Sequence, residues 1–131
     1  MTSLDAVTDW LARYEQAWRS NDADAIRGLF TPDAIYRWHP WDSGDDVAVG
    51  REAIVKVWLD NPDNPSIWEM ACEAVAVNGE QAVVKCVIPY RASPAGPART
   101  YHNVWFIRMT DDGRCANFTE YFMQEPEPAA A

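Results

Sequence analysis

The chain has 131 residues, enough for one domain with a buried core, and its 48% hydrophobic and 24% charged residues are ordinary for a globular protein. Twenty acidic against eleven basic residues leave a net charge of −9, which argues against nucleic-acid partners and anionic membrane surfaces, since no basic run offsets it. Seven tryptophans exceed what a core of this size needs and point to an aromatic-lined cavity or an aromatic interface.

Leu4, Val7, Leu11, Tyr14 and Trp18 recur three or four residues apart and share one face of an amphipathic helix. Thr2 or Ser3 can cap it, and Asp5 suits its positive end. Ser20-Asn21-Asp22 breaks this helix and caps a second one over residues 23–30, which Thr31-Pro32-Asp33 ends. Residues 34–38 read as a short strand. Residues 39–49 read as a solvated loop around Asp42, Asp45 and Asp46; their spacing matches no zinc or calcium pattern, so no metal is expected. Gly50-Arg51-Glu52 opens a third helix to about Leu59, and the Pro62 and Pro65 region stops it.

The remainder reads as sheet. Residues 67–77 and 81–90 form a hairpin at Asn78-Gly79, and residues 100–109 and 114–123 form another at Asp111-Asp112-Gly113. The face taken by Glu69 and Glu73 stays open, because the first turn can carry a bulge. The predicted fold class is α+β: a cone-shaped, strongly bent antiparallel sheet, with three helices from the N-terminal half, enclosing a pocket. One domain is expected over residues 1–125, with a frayed tail at 126–131.

Pairing the last hairpin about Asp112 and Gly113 sets Trp105 opposite Glu120, Ile107 opposite Phe118 and Asn103 opposite Phe122, on one face with Tyr101. This large, aromatic face is taken as the concave one. Glu120 is then a carboxylate among aromatic rings, where loss of water raises its pKa toward the range a general acid or base needs. The alternative places Glu120 at an open rim or in a pair with Arg99 or Arg37. The opposite face carries His102, Val104, Phe106 and Tyr121 and calls for a covering partner, most simply a second copy.

Three widely spaced cysteines (Cys72, Cys86, Cys115) without a CxxC motif read as buried, reduced thiols. With no secretory pattern at Met1-Thr2-Ser3-Leu4-Asp5 and no apolar run of membrane-spanning length, a cytoplasmic protein is expected.

The segments Trp18-Arg19-Ser20-Asn21-Asp22, Leu29-Phe30-Thr31-Pro32-Asp33-Ala34, Gly50-Arg51-Glu52-Ala53-Ile54 and Phe118-Thr119-Glu120-Tyr121-Phe122 together resemble the nuclear transport factor 2-like superfamily, in its SnoaL-like branch. The resemblance implies the cone fold but not one chemistry, since the superfamily holds isomerases, hydrolases, dehydratases, cyclases and binding modules. Where ketosteroid isomerase carries an Asp before Pro that serves as the base, this chain has Trp38 or, with one insertion, His39 before Pro40. An acid before Tyr-Phe, as in limonene epoxide hydrolase, matches Glu120, but that enzyme's Arg and second Asp have no counterparts here.

The expected protein therefore handles a small apolar or aromatic molecule without a cofactor. Glu120 and His39 are the candidate proton carriers, and Tyr36 or Asn103 can hold an oxygen. Tyr14, Trp18, Trp38, Trp58, Tyr90, Trp105 and Phe122 complete the expected ligand-binding set. The alternatives are a non-catalytic hydrophobic-ligand-binding module and a dimeric accessory protein.

Overall fold

The computed structural model describes residues 2–126, so the expected tail lies, apart from its first residue, outside the described residues. Helix α1 (Leu4–Ser20) begins at Ser3, whose side chain accepts the Ala6 N–H, and ends at Asn21 in the left-handed conformation. Its buried face comprises Val7, Trp10, Leu11, Tyr14 and Ala17. Trp10 lies outside the expected stripe yet is fully buried, and its indole N–H donates to the Leu29 carbonyl at 2.9 Å. Leu4, which the stripe included, is half-exposed.

Helix α2 (Ala23–Arg27) is shorter than the sequence predicts. The Leu29 carbonyl, which a longer helix would direct along its axis, instead accepts the Cys115 N–H at 2.8 Å. The chain has thus already turned toward the sheet, and strand β1 (Phe30–Arg37) takes in the Thr31-Pro32-Asp33 segment read as a stop. Strand β2 (Ala48–Val49), missed within the expected loop, pairs antiparallel with β1. Helix α3 (Arg51–Asp60) follows Gly50, whose φ of 92° favours glycine at that junction.

Strands β3 (Ala71–Asn78), β4 (Gln81–Tyr90), β5 (Arg99–Met109) and β6 (Cys115–Gln124) form two hairpins. They join β1 and β2 in one curved, unclosed six-stranded sheet of order β2-β1-β6-β5-β4-β3. The sheet is not wholly antiparallel as expected: β1 lies parallel to β6, with a register shift between Phe30 and Ile35. Pro32 falls within that shift, where its missing N–H removes no ladder bond. The pairing within the last hairpin is the predicted one, Trp105 with Glu120, Ile107 with Phe118 and Asn103 with Phe122.

A bulge in β3 between Ala74 and Ala76 settles the face left open in the first hairpin. Glu73 lies opposite Lys85, while the Glu69 carboxylate bridges Arg19 at 3.2 Å and Arg91 at 3.3 Å. Cys72 and Cys86 face each other across the β3–β4 ladder and are disulfide-bonded, which corrects the expectation of reduced thiols at both positions. They were too distant in sequence to be recognised as a pair before the register was known. Cys115 is a free, buried thiol, as expected, and burial pushes its pKa up to about 12.

α1 packs across β3 and α3 across β1, so the helices cover the concave face of the sheet. The tightly packed end of the cone is filled by Trp10, Phe30, Ile54, Ile107, Met109 and Phe118. No helix among the described residues is long and apolar enough to cross a membrane.

Candidate functional site

Packing loosens along the inner face of β5. Met109, Ile107, Trp105 and Asn103 are buried, whereas Tyr101 and Arg99 are partly exposed. Toward the start of β5 and the end of β6 the interior opens into a cavity of about 540 Å³. That volume lies within the usual range for small-molecule sites.

Every residue proposed from sequence borders this one cavity. α1 contributes Tyr14 and Trp18, β1 and its continuation contribute Tyr36, Trp38 and His39, and α3 contributes Trp58. The sheet supplies Tyr90, Asn103, Trp105, Glu120 and Phe122. The rings pack into a continuous wall: Tyr36 stacks on Phe118 at 4.1 Å, Tyr14 meets Trp105 at 4.8 Å, and Tyr14 meets Trp58 at 5.0 Å. Trp18 also stacks on Trp68 at 3.6 Å, and the Arg19 guanidinium lies 4.1 Å over the same Trp68 ring.

Glu120 is the carboxylate set into this wall. Asn103 Nδ2 donates to Glu120 Oε1 at 2.9 Å, and no arginine pairs with Glu120 among the described residues. Burial pushes its pKa up to about 7; the Trp105 indole N–H opposes that rise, acting from beyond ordinary hydrogen-bond geometry. Trp105 Nε1 and Asn103 Oδ1 are both buried without a partner, so the surroundings of Glu120 are incompletely satisfied.

A second polar element lies beside it. The Tyr14 and Tyr36 hydroxyls are 3.0 Å apart. One proton bridges the pair, which leaves the other hydroxyl proton for a further acceptor. Burial holds both phenols well above their ordinary pKa, and the neighbouring Glu120 charge adds to the effect. Both stay protonated donors at neutral pH.

His39 stands at the rim, stacked on Trp41 at 4.9 Å and 5.2 Å from Phe122. Its Nδ1 lies 3.0 Å from Asp42 Oδ1, and the other Asp42 oxygen accepts the Trp38 and His39 backbone N–H groups, both at 3.0 Å. With Nδ1 donating to the carboxylate, Nε2 is the nitrogen left to exchange a proton. Asp42, read as part of a solvated acidic loop, is instead a buried organiser of this turn. The signal available in the sequence was its position three residues after His39, the spacing of a side-chain-closed turn.

The sequence reading also missed Asn21, Val57, Asn61, Asp63, Ile88 and Arg99 as lining residues, and it left Tyr101, which it had set on the concave face, out of the ligand-binding set. Arg99 and Tyr101 share strand parity with Trp105, so the hairpin face already implied them. Asn61 and Asp63 belong to the segment read only as a helix stop. Among the described residues no three His, Cys, Asp or Glu side chains converge in a way that could hold a metal ion.

The sequence profile of the SnoaL-like domain matches residues 11–118. The chain belongs to the SnoaL-like domain family. The matched span runs from α1 through Phe118, two residues short of Glu120. No curated protein matches the sequence. Among solved structures, the fold resembles an NTF2-like protein of unknown function from Burkholderia xenovorans LB400. That pair has a TM-score of 0.67 and 21% identity, covering 96% of this chain and 88% of that one. It also resembles a provisionally assigned isomerase from Bacillus subtilis, with a TM-score of 0.72 and 15% identity, covering 94% of this chain and 90% of that one. At these identities the likeness establishes the shared NTF2-like cone and no more.

Proposed function

We propose that this SnoaL-like protein is a cofactor-free acid/base enzyme of isomerase, cyclase or hydratase type, acting on a small apolar or aromatic molecule. The observation that carries the reading is Glu120, a carboxylate opening into an aromatic cavity with its pKa raised to about 7 by burial. Such a group exchanges a proton in either direction at neutral pH. The Tyr14–Tyr36 pair supplies a hydroxyl donor for an oxygen on which negative charge develops. His39, oriented by Asp42, is a second proton carrier nearer the opening. The tryptophans hold the apolar body of the ligand. The structural relative described as an isomerase is consistent with this class.

Catalysed exchange of solvent deuterium into the carbon next to a carbonyl tests the reading directly. A panel of apolar aromatic ketones is incubated with the protein in heavy water and followed by NMR. Glu120→Gln should lower the exchange rate by about 10²- to 10⁴-fold, the usual contribution of a positioned acid or base. Exchange equal to that of the wild type removes Glu120 from the chemistry. A non-catalytic ligand-binding role is the second reading, favoured by the unpartnered Asn103 and Trp105 atoms, which a bound molecule need not transform.

The assembly proposed is a homodimer through the outer sheet face, where Phe106, Tyr121 and Met123 stand exposed side by side on β5 and β6. An exposed apolar strip of this kind calls for a covering partner, and a second copy is the simplest one.

A further inference from the structure

The cavity is polar at two separated places, and only one of them holds the proposed proton chemistry. The other is its opening, where Arg99 begins the inner face of β5. Among the described residues Arg99 is the only lysine or arginine on the cavity wall. In a protein of net charge −9, six of the other arginines (Arg13, Arg19, Arg27, Arg51, Arg91 and Arg114) are ion-paired with carboxylates. Arg99 has no carboxylate partner among the described residues; its one hydrogen bond runs from Nη1 to the Pro97 carbonyl at 3.2 Å.

Its position is nonetheless set. The guanidinium lies 4.3 Å over the Tyr90 ring, and the Tyr90 hydroxyl donates to Asp63 at 3.4 Å. The loop before β5 closes on it, since a Cβ at Gly96 would come within 3.6 Å of Nη1. A guanidinium held on an aromatic face and by one carbonyl keeps most of its donors for something else. Tyr101, two residues along the same face, adds a hydroxyl without a hydrogen-bond partner among the described residues.

We propose that the ligand of this cavity is an elongated aromatic carboxylate, its ring system inside the tryptophan wall and its carboxylate on Arg99 at the opening. Resting on the acid/base reading of the same cavity, the inference names the class of molecule and its orientation. Arg99 and Trp105 are six residues apart on one strand, about 20 Å between Cα atoms at the usual rise of roughly 3.4 Å per residue. The Arg99 and Glu120 side chains close part of that distance, so a ligand that meets both must extend along the strand rather than sit at one end of the cavity. A monoanion is favoured over a phosphate dianion, because Asp63 and Glu120 line the same cavity and oppose added negative charge.

Binding of three probes by calorimetry decides the matter: biphenylacetic acid, its uncharged isostere biphenylacetamide, and biphenylmethyl phosphate. The acid should bind roughly tenfold or more tightly than the amide, the usual gain of a charge-assisted bond. Added salt should erase that difference, because the subsite is partly open to solvent. Arg99→Leu should bring the acid down to the amide while leaving the amide unchanged. Arg99 is partly exposed, so this variant retains the core. Equal binding of acid and amide, no binding of the acid, or an equal loss of both in Arg99→Leu overturns the proposal. Tighter binding of the phosphate than of the acid overturns the choice of carboxylate. These readouts involve no turnover, so a failure of the Glu120 chemistry is seen separately, in the exchange assay.

Discussion

Glu120→Gln should make the protein more stable at alkaline pH than the wild type, by an amount that vanishes in acid. Burial lifts the Glu120 pKa from 4.5 to about 7. With the folded-state value above the unfolded one, the native state binds more protons between these limits, and stability falls as pH rises through them. At 1.36 kcal/mol per unit, the full lift is worth about 3 kcal/mol. Glu120 is not wholly shielded from solvent, so about 1–3 kcal/mol is the usable range. For a domain of this size that corresponds to roughly 3–10 °C in Tm. Glutamine keeps the shape and the contact with Asn103 but cannot ionise. Thermal melts of both proteins at intervals from acid to alkaline pH give the difference curve, in which carboxylates common to both cancel. The variant should melt with the wild type well below the unfolded-state pKa and above it well past the folded-state pKa. A difference that does not depend on pH, or a variant less stable in alkali, would refute the burial of Glu120 as an ionised group.

Reduction of the Cys72–Cys86 bond, or its removal as the double serine variant, should lower stability by up to about 3 kcal/mol on the chain-entropy estimate for a loop of this length, with fold and cavity retained. Urea unfolding with and without reductant measures it, and coincident curves would show that the bond constrains nothing. Phe106→Glu should convert a dimer to a monomer by light scattering without lowering Tm appreciably, since Phe106 is half-exposed in the single chain. A wild-type protein that is already monomeric at high concentration refutes the proposed assembly.

Local patterns decided much of this fold before any tertiary contact was known. The 3,4-spaced apolar residues of α1, the glycine before α3 and the Asn78-Gly79 turn are effects of neighbouring residues, and the structure keeps all three. Strand parity in the last hairpin needs only the turn, because alternate side chains point to opposite faces; it set Trp105, Asn103 and Glu120 on one face. What depends on residues distant in the chain could not be read this way. The Leu29 carbonyl is claimed by Cys115, and that bond ends α2 early and draws Phe30 into a strand parallel to β6. Cys72 meets Cys86 only through the register of the β3–β4 ladder, which includes a bulge. The Asp42 side chain is largely buried because the turn after β1 folds over it, and Arg99 has no carboxylate partner among the described residues. The sequence by itself thus determined α1, α3, the two hairpins and the inner face of the last one, since these follow from periodicity and turn geometry, and its segment resemblance pointed to the family. The tertiary structure alone decided the parallel strand, the disulfide and the uncompensated charge of Arg99 at the opening, because each depends on groups whose separation along the chain carries no information about their separation in space.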